Sequence, residues 1–511
     1  MAKVVKSFAI SGVDGYVVDV ETKGISGLPM MSIVGLGDTA VKEAKERVES
    51  ALNNGEFYFP QKKIVINLAP GDLKKSGSHF DLPIAVGILL ETEQITKVRK
   101  EDYGMIGELS LNGRLRGCTG VLPMTIAARE QGIHHMIVPM ENVREASVVE
   151  GVKVYGFNRL ADVSEFLEGK AYQDVETLKG REWHKSPFDL DFADVQEQDA
   201  IIDYVVVAAS GGHNLLMIGT PGCGKSMIAK RIPTILPSMT EEEAMEVTKI
   251  YSVAGLLRQK ESLIQERPYR APHHNASTNS LIGGGNNAIP GEISLAHHGV
   301  LFLDEIAEFG KKSLEALRQP MEDQKVTISR VKYTNTYPAN FMLVAAMNPC
   351  PCGYYGQVQC SCSDYEVVKY RQKISGPILD RMDLQKTVNA VNIIELSKEK
   401  KGRTSKELRE RVEFSRNIQK KRFEKIDGVS ANAQMGHSLV KEYCQLEREG
   451  EELLQKAYEV YQYSARTFHK YLKVARTVAD MEGAPNIRKE DIAVALMARD
   501  LDKEGAKMMV L

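Results

Sequence analysis

The run Gly219-Thr220-Pro221-Gly222-Cys223-Gly224-Lys225-Ser226 carries the most specific chemistry in this chain. An apolar stretch, HNLLMI, leads into it and a helix-compatible stretch, MIAKRI, leads out, so strand, glycine-rich loop and helix stand in the order that phosphate binding requires. The glycines let backbone N–H groups converge on phosphate oxygens. Lys225 reaches the β and γ phosphates, and Ser226 ligates Mg2+ at the positive end of the following helix. These eight residues are therefore expected to hold ATP and its magnesium ion.

Binding is half of the chemistry, and two further apolar runs end on residues suited to the rest. GVLFLDE has a buried-strand pattern and closes on Asp304 and Glu305. Asp304 is expected to hold Mg2+ through water alongside Ser226, and Glu305 to polarise the attacking water, a division of labour that marks hydrolysis. FMLVAAMNP ends at Asn348, placed to orient the same water from a neighbouring strand, although an Asn before Pro is also a common turn former. Directly beyond it come Cys350, Cys352, Cys360 and Cys362, two pairs around the loop GYYGQVQ. Four thiolates can close a tetrahedral Zn2+ site; the C-x-C spacing is tighter than the usual C-x2-C.

Residues at strand ends need a parallel sheet to bring them together. The chain has 511 residues, a length that suggests about three domains. Residues 1–170 alternate strand-like runs (YVVDVET, KIVINLAP, HHMIVP) with helical ones (TAVKEAKERVESALNN, VLPMTIAAREQ), a self-contained α/β domain. Residues 171–195 have little periodicity and read as a linker and docking strand. Strand and helix alternate again over residues 196–390, which contain the nucleotide motifs and the cysteine cluster at 350–362. Residues 391–511 are helical in pattern. Between Lys398 and Lys425 there are twelve Lys or Arg against five Glu, either a solvated helix face or a cationic surface.

The N-terminal sequence lacks an apolar core of signal-peptide length, and no stretch is apolar enough to span a bilayer, so a cytoplasmic location without membrane contact is expected. Seven cysteines in such a compartment are not expected to pair as disulfides. The net charge of −2 argues against a chain that coats nucleic acid, while leaving room for positive charge confined to the channel of a ring.

GTPGCGKS, LFLDE, AAMNPCPCG and GPILDRMDL together resemble the AAA+ ATPases of the magnesium-chelatase-related branch, and specifically the bacterial ComM/YifB family, over nearly the whole chain. The resemblance implies an amino-terminal Lon-protease-like α/β domain, a central P-loop parallel-sheet core and a carboxy-terminal helical lid. It implies that Arg381, in LDRMD, is an arginine finger reaching the ATP of a neighbouring subunit in a homohexameric ring, rather than a surface arginine. In SARTFHKYLKVARTVADM it places the γ-phosphate sensor at Arg466, with Arg476 second. The segment RPYRAPHHNASTNSLIGGGNNAIPGEISLAHHGV resembles the family's insertion in the second helix of the core; its His273-His274 pair lacks a third ligand at metal spacing and reads as polar loop packing. In EDQKVTISRVKYTNTYPANF, a hairpin like those of ring helicases would carry Arg330 and Lys332 to DNA phosphates, unless it serves subunit packing. The Lon-like domain departs from the protease pattern: His79-Phe80-Asp81 stands where the nucleophile is expected, and Leu122 and Met124 where the lysine is, so no peptidase activity is expected.

Taken together, the resemblance implies an ATP-driven DNA helicase that promotes branch migration in recombination or natural transformation. Single-stranded or branched DNA is the expected partner, with recombination proteins as further partners. A magnesium-chelatase-like motor subunit acting on a protein partner is the alternative that the ATPase motifs fit equally well.

Overall fold

The computed structural model describes residues 2–96, 101–171, 189–257, 262–285, 288–330, 333–389, 402–461 and 464–501, with the side chains of Arg330 and Tyr333 excepted. The chain divides into two compact units. One comprises Met1–His184, Glu241–Gln265 and Ser329–Tyr337, and the other Lys185–Thr240, Glu266–Ile328 and Pro338–Leu511.

The first unit is built on a seven-stranded mixed sheet of β1 (Lys3–Ser11), β2 (Asp14–Ile25), β3 (Met30–Val34), β4 (Lys63–Ala69), β5 (Tyr103–Met105), β6 (His135–Pro139) and β7 (Lys153–Phe157), in the spatial order β3-β4-β2-β1-β5-β6-β7. β1 and β2 form a hairpin whose antiparallel register runs from Lys3↔Thr22 to Ser11↔Asp14. Alternate residues of β2, Val18, Val20 and Thr22, are buried, as period-two geometry requires of a strand covered on one face more than the other. The helix Thr39–Asn53 is capped by Asp38, whose carboxylate accepts from Val41 N at 2.9 Å, and buries Val41, Ala44, Val48 and Leu52 on one stripe. The helix Asp81–Glu91 is apolar all round, DLPIAVGILLE, and is accordingly buried from Asp81 to Leu89. On the opposite face, Val121–Glu130 packs its Val121, Leu122, Met124 and Ala128 with Phe8, Met136 and Val138.

The second unit holds β8 (Leu215–Gly219), β9 (Tyr269–Arg270), β10 (Val300–Leu303), β13 (Met342–Met347) and β14 (Leu384–Val388) in one sheet. The strands β11 (Lys325–Arg330) and β12 (Tyr333–Pro338) form a separate two-stranded pair, most of which, Ser329–Tyr337, groups with the first unit. The five-stranded order is β9-β10-β13-β8-β14, and every neighbouring pair is parallel. β8, β10 and β13 are buried at every position, which explains why LLMIG, VLFL and MLVAAM read as continuous apolar runs rather than alternating ones.

Beyond the sheet the same unit becomes helical, with Ser405–Phe423, His437–Tyr443, Arg448–Tyr461, Ala465–Met481 and Lys489–Met497. Ser405–Phe423 opens with a capping box between Thr404 and Glu407. Much of its cationic run is tied to protein: Arg403 pairs with Asp203 at 2.6 Å, Arg416 donates to Ala209 O, and Arg422 binds the Asp480 carboxylate at 2.5 and 2.7 Å. The part of the run at Lys398–Lys401, like most of the 171–195 linker, lies outside the described residues.

Candidate functional site

β10, β13 and β8 are adjacent and parallel, so their carboxyl ends open on one edge of the sheet, and each is followed by one of the motifs. The phosphate loop leaves β8 at Gly219 and ends at Gly224, whose φ of 90° lets the chain turn into the helix Lys225–Ile235. Lys225 is nearly buried, with Nζ donating to Gly219 O at 2.7 Å, Thr220 O at 3.0 Å and Asn348 Oδ1 at 3.4 Å. The ammonium thus folds back onto the loop's own carbonyls, at the place where phosphate oxygens would compete for it. Ser226 Oγ donates to Asp304 Oδ2 at 2.7 Å, so the hydroxyl and carboxylate expected to share Mg2+ already meet. Hard oxygen donors of this kind suit that ion.

Glu305 sits in the left-handed region, φ 50° and ψ 48°, an unusual conformation for a side chain of this type. Its N–H donates to Asp304 Oδ1 at 3.0 Å, which pins the acidic pair, and its half-exposed carboxylate lies 3.4 Å from Nδ1 of His274. The rings of His273 and His274 lie 4.1 Å apart between centroids, tilted by 36°. The spacing of this histidine pair gave no hint that one of them reaches the acid at the end of β10.

The cysteines follow β13 and are free thiols. Sγ of Cys350 lies 3.3 Å from that of Cys352 and 3.9 Å from that of Cys360, and Cys352 lies 3.7 Å from Cys360. With Cys362 included, all four sulfurs fall within 4.8 Å of one another. A tetrahedral ion with Zn–S bonds of about 2.3 Å separates its sulfurs by about 3.8 Å, so the donor set fits zinc. Backbone hydrogen bonds at Tyr354 and Ser361 pull the Cys352 thiol down to about 6, while burial and the neighbouring thiols push those of Cys360 and Cys362 up, the pattern of sulfurs crowded together. The loop also touches the nucleotide motif: a Cβ on Gly353 would lie 2.8 Å from Cδ of Pro221.

The two arginines assigned to the γ-phosphate stand elsewhere in this unit, at a cavity of about 350 Å3 whose lining includes no phosphate-loop residue. Arg381 is buried, with Nη1 donating to Pro377 O at 2.7 Å and Nη2 2.6 Å from Glu322 Oε1. Arg466, half exposed, donates to the same Glu322 oxygen. Arg476, the second choice on that helix, is buried and bonded to Asp480, Ala484 O and Pro485 O at the end of its own helix.

Arg330 lies on β11, but its side chain and the whole of Lys332 fall outside the described residues. In the first unit, His79 is buried, with its ring bonded to Phe8 O at 2.8 Å. Asp81 takes Arg47 in a two-pronged pair at 2.7 and 3.0 Å and accepts from Leu109 N. Leu122 and Met124 are fully buried among apolar neighbours. The residues at the protease positions are thus engaged in packing and ion pairing.

A phosphate loop, an acid pair and a polar strand end on adjoining parallel strands, followed by a helical bundle, define an AAA+ P-loop ATPase. Three family models match: magnesium chelatase subunit ChlI over residues 191–396, subunit ChlI of Mg-chelatase over 20–142, and the ChlI carboxy-terminal region over 402–499. The chain is 40% identical over 499 residues to competence protein ComM of Haemophilus influenzae, covering 96% of each chain. It is 38% identical over 501 residues to YifB of Escherichia coli, covering 98% of this chain and 97% of YifB. A Lon protease of Finegoldia magna is 27% identical over 159 residues, 29% of this chain and 20% of the protease. The chain therefore belongs to the ComM/YifB family of magnesium-chelatase-related AAA+ ATPases, with a Lon-like amino-terminal region.

Proposed function

We propose that this protein is a ring-forming, ATP-hydrolysing DNA motor that drives branch migration of single-stranded or forked DNA. The observation that carries the hydrolytic part is the convergence of Lys225, Ser226, Asp304, Glu305 and Asn348 at one sheet edge. In this reading Lys225 holds the β and γ phosphates, Ser226 and Asp304 hold Mg2+, and Glu305 and Asn348 orient the attacking water. Arg381 and Arg466 line a different cavity and serve the nucleotide of a neighbouring copy, so turnover needs a ring, a homohexamer by family resemblance. The cysteine quartet holds a structural zinc ion beside the phosphate loop.

The DNA substrate follows from kinship with a protein named for competence, and from the two-stranded pair of β11 and β12, whose flanking sequence supplies Arg330 and Lys332 as candidate phosphate contacts. A chelatase-like motor acting on a protein partner is the second reading, favoured by the three chelatase-subunit models. Turnover measured with forked DNA, linear duplex and no DNA separates the two. Stimulation by the fork, with strand displacement that depends on ATP, is the expected result; intact hydrolysis with neither stimulation nor displacement would remove the DNA reading.

A further inference from the structure

The cavity that holds Arg381 and Arg466 carries more charge than the two arginines. Lys470 and Lys473 also line it, so among the described residues four basic side chains face two carboxylates, Glu322 and Asp383. Asp383 is committed to the floor of the cavity: it accepts from Asn214 N, lies 3.3 Å from His213 Nδ1, and stands 3.9 Å from Lys470 Nζ. Lys473 donates to Ala433 O at 3.0 Å. Lys470 is nine-tenths buried, and its Nζ makes no hydrogen bond. The Nε of Arg381 is likewise buried without an acceptor. A buried ammonium without an acceptor is costly, and it marks a place where an anion would be welcomed.

Among the described residues, Glu322 is the lining carboxylate that pairs with both arginines. It stands on the helix Arg318–Asp323, is half exposed, and offers a single oxygen, Oε1, to both Arg381 and Arg466. One oxygen shared by two guanidinium groups has the arrangement of a phosphate oxygen between two arginines. Hydrogen bonding from Arg381, reinforced by Arg466, holds this carboxyl below the usual carboxylate range, so it is charged at neutral pH.

We propose that Glu322 is a placeholder for the terminal phosphate of a neighbouring copy's ATP, occupying the anion subsite formed by Arg381, Arg466 and Lys470 until that phosphate displaces it. This rests on the reading of Arg381 as a residue acting on a neighbour's nucleotide. In the isolated chain the carboxylate keeps the two guanidinium groups side by side without mutual repulsion. On assembly, each arginine exchanges Oε1 for phosphate oxygen, and Glu322, being half exposed, swings to solvent. The carboxylate is thus an internal competitor that sets how readily copies engage through nucleotide.

The test uses the full chain with saturating ATP and Mg2+, following turnover against protein concentration for wild type, Glu322→Gln and Arg381→Ala. Removing the placeholder's charge should lower the concentration giving half-maximal turnover by roughly three- to tenfold, the scale of a partly exposed ion pair, while turnover per site at saturation stays within about twofold. Sedimentation with a non-hydrolysable ATP analogue should show the same shift toward assembled species, a readout independent of catalysis. Glu322→Asp, which shortens the reach and keeps the charge, should shift both in the same direction by less. A fall in saturating turnover without a concentration shift would make Glu322 a positioning residue and overturn the proposal, as would an unchanged concentration profile. Wild-type turnover in Arg381→Ala would instead overturn the arginine's role itself, which separates the two failures.

Discussion

Ser226 and Asp304 meet at 2.7 Å, hydroxyl to carboxylate, although one lies in the first turn of the helix Lys225–Ile235 and the other directly after β10. This contact joins the phosphate loop to the acid pair, and these two oxygens are the donors that would hold Mg2+. Because Asp304 also accepts from the Glu305 N–H, the two residues proposed for metal and attacking water are linked directly.

The chemistry at this edge separates binding from turnover. Lys225→Ala removes the cation that sits on the loop carbonyls and should abolish nucleotide binding, measured with a fluorescent ATP analogue. Glu305→Gln keeps size and polarity and loses basicity; it should bind nucleotide normally while kcat falls by about 10²- to 10⁴-fold. Normal hydrolysis in the second variant would move the role of base to another residue.

The cysteine loop should act on nucleotide affinity through its packing. Gly353 combines a φ of 88° with an approach to Pro221 that leaves no room for a methyl group. Gly353→Ala should therefore raise KM for ATP by roughly tenfold through displacement of the phosphate loop, with a smaller effect on kcat. Freshly purified protein should carry about one zinc ion per chain by atomic absorption, and its removal by a chelator should raise KM in the same direction. Metal-free protein with unaltered KM would count against both the ion and the coupling.

The strand ends were legible in the sequence because each bears a chemically loaded residue directly after an unbroken apolar run, and fully buried parallel strands leave that signature. Contacts across the fold were not. His274 reaches Glu305 through a loop whose path no periodicity encodes, and Glu322 meets Arg381 and Arg466 from a helix with no motif of its own. Arg466 and Arg476 are alike in type and lie on one helix, but only burial separates the exposed arginine from the one that closes the helix end. The grouping of Glu241–Gln265 and Ser329–Tyr337 with the amino-terminal unit arises from tertiary packing that local patterns do not carry.

Acid should weaken the amino-terminal unit through His79. Burial pushes this imidazole down from 6.5 to about 4, so it is neutral in the folded state at neutral pH. Between those values the unfolded chain binds a proton that the folded one refuses, and stability falls as pH drops from about 6.5 to about 4. The loss amounts to about 3 kcal/mol for a shift of this size. Thermal melts across that range should show wild type losing ground to His79→Gln, which retains a donor for Phe8 O and has no proton to gain. Parallel pH profiles for the two would refute the assignment.

Arg466 and Arg476 offer a last contrast. Arg476 is buried to 1% exposure and pairs with Asp480, which also holds Arg422, while its remaining donors satisfy Ala484 O and Pro485 O. Arg422 would still hold the Asp480 carboxylate, but Arg476→Ala would leave the Ala484 and Pro485 carbonyls without their donor and open a buried void, a loss of about 2 to 3 kcal/mol, visible as a lower Tm and reduced yield. Arg466 is half exposed and ends on Glu322, so Arg466→Ala should leave Tm nearly unchanged. Its effect should fall on turnover at high protein concentration, with ATP binding by the isolated chain preserved. Loss of stability in Arg466→Ala, or a purely kinetic defect in Arg476→Ala, would reverse the two roles.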